Sequence, residues 1–194
     1  MKTIVWSKDA LITDYFKLAG HGAAFFYAAL VLSIGILMVN IAKLPYTGIT
    51  IAALSIDVCF GFWGKNPVNI FPIFLGVILY AKIHKASIGR YLYTALFGAC
   101  LGPLVTELMY KLPFDFGLKL VLTFVVGILI GLMLPPLSAH TVSMHMGYNL
   151  YNVGFSAGVL AFAIVCIMRS FSLDIEPAFI WREAVIRENP ASYY

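Results

Sequence analysis

Charge is scarce in this sequence. Asp, Glu, Lys and Arg supply only 11% of its 194 residues, apolar residues supply 61%, and the mean hydropathy is +0.91. A soluble domain carries about 25% charged residues. With so few, no water-facing shell can be assembled, and the composition excludes a soluble fold. The 13 Lys and Arg residues are scattered and form no basic run interleaved with aromatics, so nucleic acid is excluded as a partner. Paired cysteines are also missing. Cys59, Cys100 and Cys166 stand singly in apolar stretches, without CxxC or ligand spacing, and read as buried, reduced thiols. The first 17 residues, MKTIVWSKDALITDYFK, lack the continuous apolar run of a secretory signal. No HExxH, GxSxG or phosphate-binding glycine loop is present, so no enzyme class, metal or cofactor is indicated.

What the sequence has is long apolar runs. They fall at 19–39, 47–63, 66–83, 91–109, 114–134 and 150–168. Each crossing needs about 20 residues, and lipid offers unpaired backbone groups no partner, so the runs read as helices. The expected fold is all-α: a polytopic bundle of about six transmembrane segments, with short or re-entrant helices at Asn66 and Asn149. A polar or interfacial segment (1–18) precedes this membrane domain (19–168), and an amphipathic tail (169–194) follows it, with Trp181 as an interfacial anchor. The fourth run is interrupted at Gly102-Pro103. The fifth closes on Pro135-Pro136, and the stretch LSAHTVSMHMGYN after it reads as a polar loop or re-entrant segment. Gly127 with Gly131, and Gly154 with Gly158, have the four-residue spacing that lets helix backbones approach closely.

In a six-span arrangement Lys2, Lys8, Lys17, Lys65, Lys111, Arg169, Arg182 and Arg187 flank the side holding both termini, and Lys43, Lys82, Lys85 and Arg90 flank the other. Eight against four favours cytoplasmic termini, although the cluster at 82–90 argues the other way.

The candidate functional residues lie in a short internal echo. Gly64-Lys65-Asn66-Pro67-Val68-Asn69-Ile70 and Gly147-Tyr148-Asn149-Leu150-Tyr151-Asn152-Val153 share the form G-x-N-x-x-N-[IV], and each opens the third apolar run of its half. Two halves of three crossings lie in opposite orientation, which brings the two helix starts in from opposite faces. Short or interrupted segments at matching positions in inverted halves point to a transporter's binding site. An asparagine amide both donates and accepts, and it also caps helices. Asn66-Pro67 fits an N-cap followed by proline at the first helical position, so capping alone is the competing explanation.

Asp57 and Glu107 are the acids deepest in the apolar runs. A lone carboxylate there costs roughly 2.5–3.5 kcal/mol on insertion scales, so each needs a partner, a cavity or the interface. Glu107, near the end of its run, suits the interface, and Lys119 suits a snorkelling position. His140 and His145, with Met144 and Met146, do not make a metal site: a spacing of five does not place both histidines on one helical face, and His140 reads instead as lining a cavity.

Leu11-Ile12-Thr13-Asp14-Tyr15-Phe16 with Gly20-His21-Gly22-Ala23-Ala24-Phe25, Phe62-Trp63-Gly64-Lys65-Asn66 on to Tyr80, Tyr93-Thr94-Ala95-Leu96-Phe97-Gly98, Leu134-Pro135-Pro136-Leu137-Ser138-Ala139-His140, and Gly147 to Phe155 follow one another as in a known family. On these stretches the chain resembles the bacterial multi-pass membrane family known as domain of unknown function 1576. The resemblance implies a bacterial inner-membrane protein corresponding to the front portion of longer relatives, and it implies no activity.

Three functional readings follow. The first is a permease- or channel-like protein for a small solute, its pathway lined by Asn66, Asn69, Asn149 and Asn152, with Asp57 and His140 as secondary candidates. The second is a non-catalytic membrane subunit or scaffold, completed by a second membrane half or by further copies of itself. The third is an intramembrane enzyme using Asp57 and Glu107 as paired carboxylates. The lipid bilayer is the partner common to all three.

Overall fold

The computed structural model describes residues 14–149 and 151–173, and these are helical, with no strand among them. The helices are α1 (Tyr15–Ala19), α2 (His21–Ile41), α3 (Gly48–Gly61), α4 (Pro67–Ile83), α5 (Leu92–Gly98), α6 (Gly102–Lys111), α7 (Phe116–His145) and α8 (Asn152–Ser170). A 3₁₀ turn, Ala99–Leu101, joins α5 to α6, just ahead of the Gly102-Pro103 interruption expected there. Most of the tail, with Trp181, lies outside the described residues, as do Lys2, Lys8, Arg182 and Arg187.

Four stretches are long and apolar enough to cross a bilayer: His21–Ile41, Leu92–Lys111, Phe116–His145 and Asn152–Ser170. The other two apolar helices, α3 and α4, have 14 and 17 residues. At about 1.5 Å per residue they extend roughly 21 and 25 Å, less than the ~30 Å hydrocarbon core. Among the described residues the bundle therefore has four stretches that qualify as membrane spans by length and composition, one of them α5 and α6 joined through the 3₁₀ turn, together with two shorter apolar helices. Large apolar side chains cover its outside, among them Phe25, Ile51, Phe71, Val121 and Phe162, the surface that lipid requires.

Small residues set the register. Alpha carbons of α2 and α3 meet where Gly61 abuts Ala28, and Gly35 faces Leu54, so these helices run antiparallel. Helices α4 and α7 run parallel and cross with backbone against backbone: Pro72 lies on Gly127, and Gly76 lies on Gly131. The Gly127–Gly131 spacing is thus a packing face. Gly154 and Gly158 are exposed, however, and nothing lies within 4 Å of a Cβ built on Gly158, so the second pair makes no such crossing.

Two further expectations are corrected. Helix α7 does not end at Pro135-Pro136 but continues through Ser138, His140 and Thr141 to His145. Prolines forfeit two helix hydrogen bonds, yet the chain stays helical because an apolar surrounding offers its other backbone groups no alternative partner. The prolines leave the Gly131 and Leu132 carbonyls without their N–H partners, and one turn on the Ser138 hydroxyl donates to the Pro135 carbonyl at 2.9 Å. The cysteines are free thiols, as expected, but Cys59 and Cys166 are exposed on the apolar outer surface and only Cys100 is half-buried. In a membrane bundle an apolar side chain has no need of the interior.

Candidate functional site

The register places the start of α4 well inside the bundle. Gly61, the last residue of α3, lies level with Ala28, seven residues into α2, or about 10 Å from that helix's start at a rise of ~1.5 Å per residue. Pro72 lies level with Gly127, so Pro67 stands level with position 122, six residues into α7. The turn 62–66 is a helix break sunk below the ends of its neighbours. Helix α1 closes it from the terminal side: the Tyr15 N–H donates to the Phe62 carbonyl at 3.2 Å, and the Phe16 and Phe62 rings stack at 5.1 Å. Asp14 caps α1 through the Phe16 N–H at 2.8 Å. Burial pushes the Tyr15 hydroxyl up to about 12, against a smaller opposing effect of the Asn66 side chain, so it stays neutral.

Such a break leaves polar groups inside, and those at the start of α4 are met locally. Asn66 Oδ1 accepts the N–H groups of Val68 at 3.0 Å and Asn69 at 3.1 Å. Asn69 Oδ1 accepts the Asn66 N–H at 3.0 Å, which completes a capping box made by two asparagines. Both Asn69 amide protons are used, one on the Gly64 carbonyl and one on Thr106 Oγ1, each at 2.9 Å. Asn69 thereby ties α4 to α6. The contact depends on Gly102, where an added Cβ would stand 2.5 Å from Asn69 Oδ1.

Beside this knot is a buried ion pair. Lys65 Nζ donates to Asp57 Oδ1, and both side chains are at most 2% exposed. The ammonium also approaches the Leu96 carbonyl at 3.5 Å. Asp57 Oδ2 is buried without a hydrogen-bond partner, facing α2 where a Cβ on Gly35 would come within 3.3 Å. The sequence implies a partner for Asp57 but sets Lys65 among the residues flanking the membrane face; the structure makes Lys65 that partner. The available signal was the geometry of the break: a glycine-containing turn brings Lys65 back over the last turn of α3. Removing Lys65 from the surface count leaves seven basic residues against four.

Glu107 is buried within the bundle, one turn from the end of α6, and Lys111 Nζ stands 4.0 Å from its carboxylate. The two acids are therefore not paired with each other, since each has its own lysine.

The second copy of the motif repeats the local geometry of the first and not its depth. Gly64 and Gly147 both adopt positive φ, +101° and +83°, which glycine accommodates freely. Asn149 Oδ1 accepts the Tyr151 N–H at 3.0 Å, as Asn66 does that of Val68. Asn152 then ties α8 to α7. Its amide donates to the Ser138 carbonyl at 2.7 Å, and its oxygen accepts from Thr141 Oγ1 at 2.9 Å and lies 2.7 Å from His145 Nε2. The Gly147 N–H donates to His145 Nδ1 at 3.2 Å, leaving Nε2–H to face Asn152. Beside Asn152 lie Gly48 and Ile49, at the first turn of α3, whereas Asn66 follows its last turn. The two motifs sit at opposite ends of a helix about 21 Å long and form no joint site. His140 is exposed on α7 and lines neither cluster.

Sequence reasoning missed Thr106 and Thr123 as well as Lys65. Thr123 on α7 is 5% exposed, and its hydroxyl has no partner. No group of three or more metal-binding side chains occurs among the described residues.

Asn69→Ala strips partners from the buried Asn66 N–H, the Gly64 carbonyl and Thr106. It is expected to cost about 2–3 kcal/mol, combining a lost cap with unsatisfied buried groups. Asn149→Ala, at a half-exposed turn, is expected to stay within about 0.5 kcal/mol. Unfolding in detergent, followed by circular dichroism, checks both.

No curated protein and no solved structure matches the chain. The model of a family described as a protein of unknown function, DUF1576, matches residues 1–170, the same family that the stretches around Asn66 and Asn149 resemble, and the chain belongs to it.

Proposed function

We propose that this protein is a permease- or channel-like protein for a small solute, seated in a bacterial inner membrane, with its polar pathway beside the sunken start of α4. The observation that supports the reading is the Asp57–Lys65 pair, buried at an internal helix break next to Asn66 and Asn69. Ionisable groups at this depth are costly, and they mark ion and substrate routes. Broken helices at membrane depth are tolerated where protein or a water-filled cavity surrounds them. The pathway proposed is narrower than the sequence suggested, because Asn149, Asn152 and His140 lie elsewhere.

Solute flux into proteoliposomes holding the purified chain tests the proposal. Flux above protein-free liposomes is expected, lowered by Asn69→Ala and unchanged by Asn149→Ala. Equal loss in both variants, or in neither, would contradict a pathway at α4. The alternative, a membrane subunit completed by a partner chain or a second copy, draws support from the open apolar hollow between α4 and α7, lined by Phe71, Val121 and Val125. Absence of flux from the chain alone, with recovery on adding a co-purifying membrane protein, would favour it.

A further inference from the structure

A cavity of about 70 Å³ lies between α4, α6 and α7. Asn66, Asn69, Thr106 and Thr123 are its polar lining, and its apolar walls include Pro72, Leu120 and Phe124. None of the ten lining residues is charged. We propose that this cavity binds a small uncharged molecule that both donates and accepts hydrogen bonds, of the urea or simple amide type. The inference rests on the permease reading and specifies its solute class.

The hydrogen-bond inventory argues against an anion. A helix start attracts negative charge through its free N–H groups, but none is free here. Pro67 has no N–H, Asn66 Oδ1 takes those of Val68 and Asn69, and the Asn66 carbonyl takes that of Ile70 at 3.3 Å. A cation fares no better, since the cavity has no carboxylate and Asn69 Oδ1 already accepts a proton.

Two hydroxyls remain. Thr123 Oγ1 is buried without a partner, a state that costs free energy in an apolar surrounding unless something enters to meet it. Thr106 accepts from Asn69, but its own proton reaches the Gly102 carbonyl only at 3.5 Å, too long to hold it. Each hydroxyl both donates and accepts, and together they suit a carbonyl and an amide on one molecule. A water needs roughly 10–15 Å³ of such volume, so the cavity suits about five heavy atoms.

The test is stopped-flow light scattering on proteoliposomes of the full chain, with urea and acetamide as uncharged probes and guanidinium as a charged probe of urea's size. Urea and acetamide should enter faster than into protein-free liposomes, and guanidinium should not. Thr123→Val should slow entry about fivefold, the worth of one hydrogen bond. It should leave the unfolding temperature unchanged or raised, because the substitution removes an unsatisfied buried group. A merely structural hydroxyl would move stability and not permeability. Leu120→Trp, which fills the cavity from the lipid side and alters no hydrogen bond, should abolish the increment. Equal urea entry through the parent and both variants would overturn the cavity assignment while leaving the permease reading intact. Entry of guanidinium in preference to urea would overturn the solute class. Protein-free rates for every probe would overturn the inference together with the permease reading.

Discussion

Gly131→Ala is expected to destabilise the bundle by at least about 3 kcal/mol, at or beyond the upper end of overpacking effects. The crossing of α4 and α7 is made by backbone. A Cβ on Gly131 would stand 2.1 Å from the Ile73 carbonyl oxygen and 2.8 Å from the Gly76 Cα. The reciprocal change, Gly76→Ala, would place a Cβ 2.2 Å from the Ile128 carbonyl oxygen. No side chain can rotate out of the way, so the helices must separate along the contact that also positions Asn69 and Thr123. Gly158→Ala is the control. Nothing lies within 4 Å of its Cβ, and alanine's better helix propensity should leave stability equal or slightly higher. Unfolding midpoints in detergent, read by circular dichroism, distinguish these outcomes. A Gly131→Ala protein as stable as the parent would refute the backbone contact.

Lys65→Met is expected to cost about 3–5 kcal/mol, the usual penalty for leaving one charge of a buried pair uncompensated. Among the described residues Asp57 pairs with no second cation: its Oδ2 is without a hydrogen-bond partner and faces Gly35. Asp57→Asn strands the Lys65 ammonium in the same way, softened only because the amide oxygen still accepts from it. The double variant Asp57→Asn/Lys65→Met should recover most of the loss, since replacing both members of a buried pair is often close to neutral. The same three proteins, measured for solute entry, separate a pin that holds the break from a group on the pathway. A double variant that is stable yet impermeable would place the pair on the route. One that is stable and permeable would confine it to holding the turn. An unchanged midpoint for Lys65→Met alone would show that the pair is not ionised.

Both predictions concern features only partly legible in the sequence. The wish of Asp57 for a partner could be read from one carboxylate in an apolar run, yet Lys65 looked like a flanking charge because it follows a glycine at the end of that run. Asn66-Pro67 announced a helix start through local chemistry alone, and the structure places the cap there. The role of Asn69 was only half visible, since its reach to Thr106 crosses to a helix 37 residues further on. The two glycine pairs look alike in sequence, and only their neighbours distinguish a backbone crossing at Gly131 from an exposed face at Gly158.

What the sequence determined by itself is what depends on residue type and local order: a helical membrane protein with little charge, short helices at the third run, a capped start at Asn66, and an acid at Asp57 that must be compensated. The tertiary structure decided what depends on depth and register. It set the start of α4 about 10 Å inside its neighbours, carried α7 past Pro135-Pro136, parted the two asparagine motifs to opposite ends of α3, and left Thr123 facing a cavity. The physical reason is that an apolar bundle presses its helices together wherever small residues let them touch. Those contacts, between Gly61 and Ala28, Gly76 and Gly131, and Gly102 and Asn69, join positions 33 to 55 residues apart, beyond the reach of any local pattern.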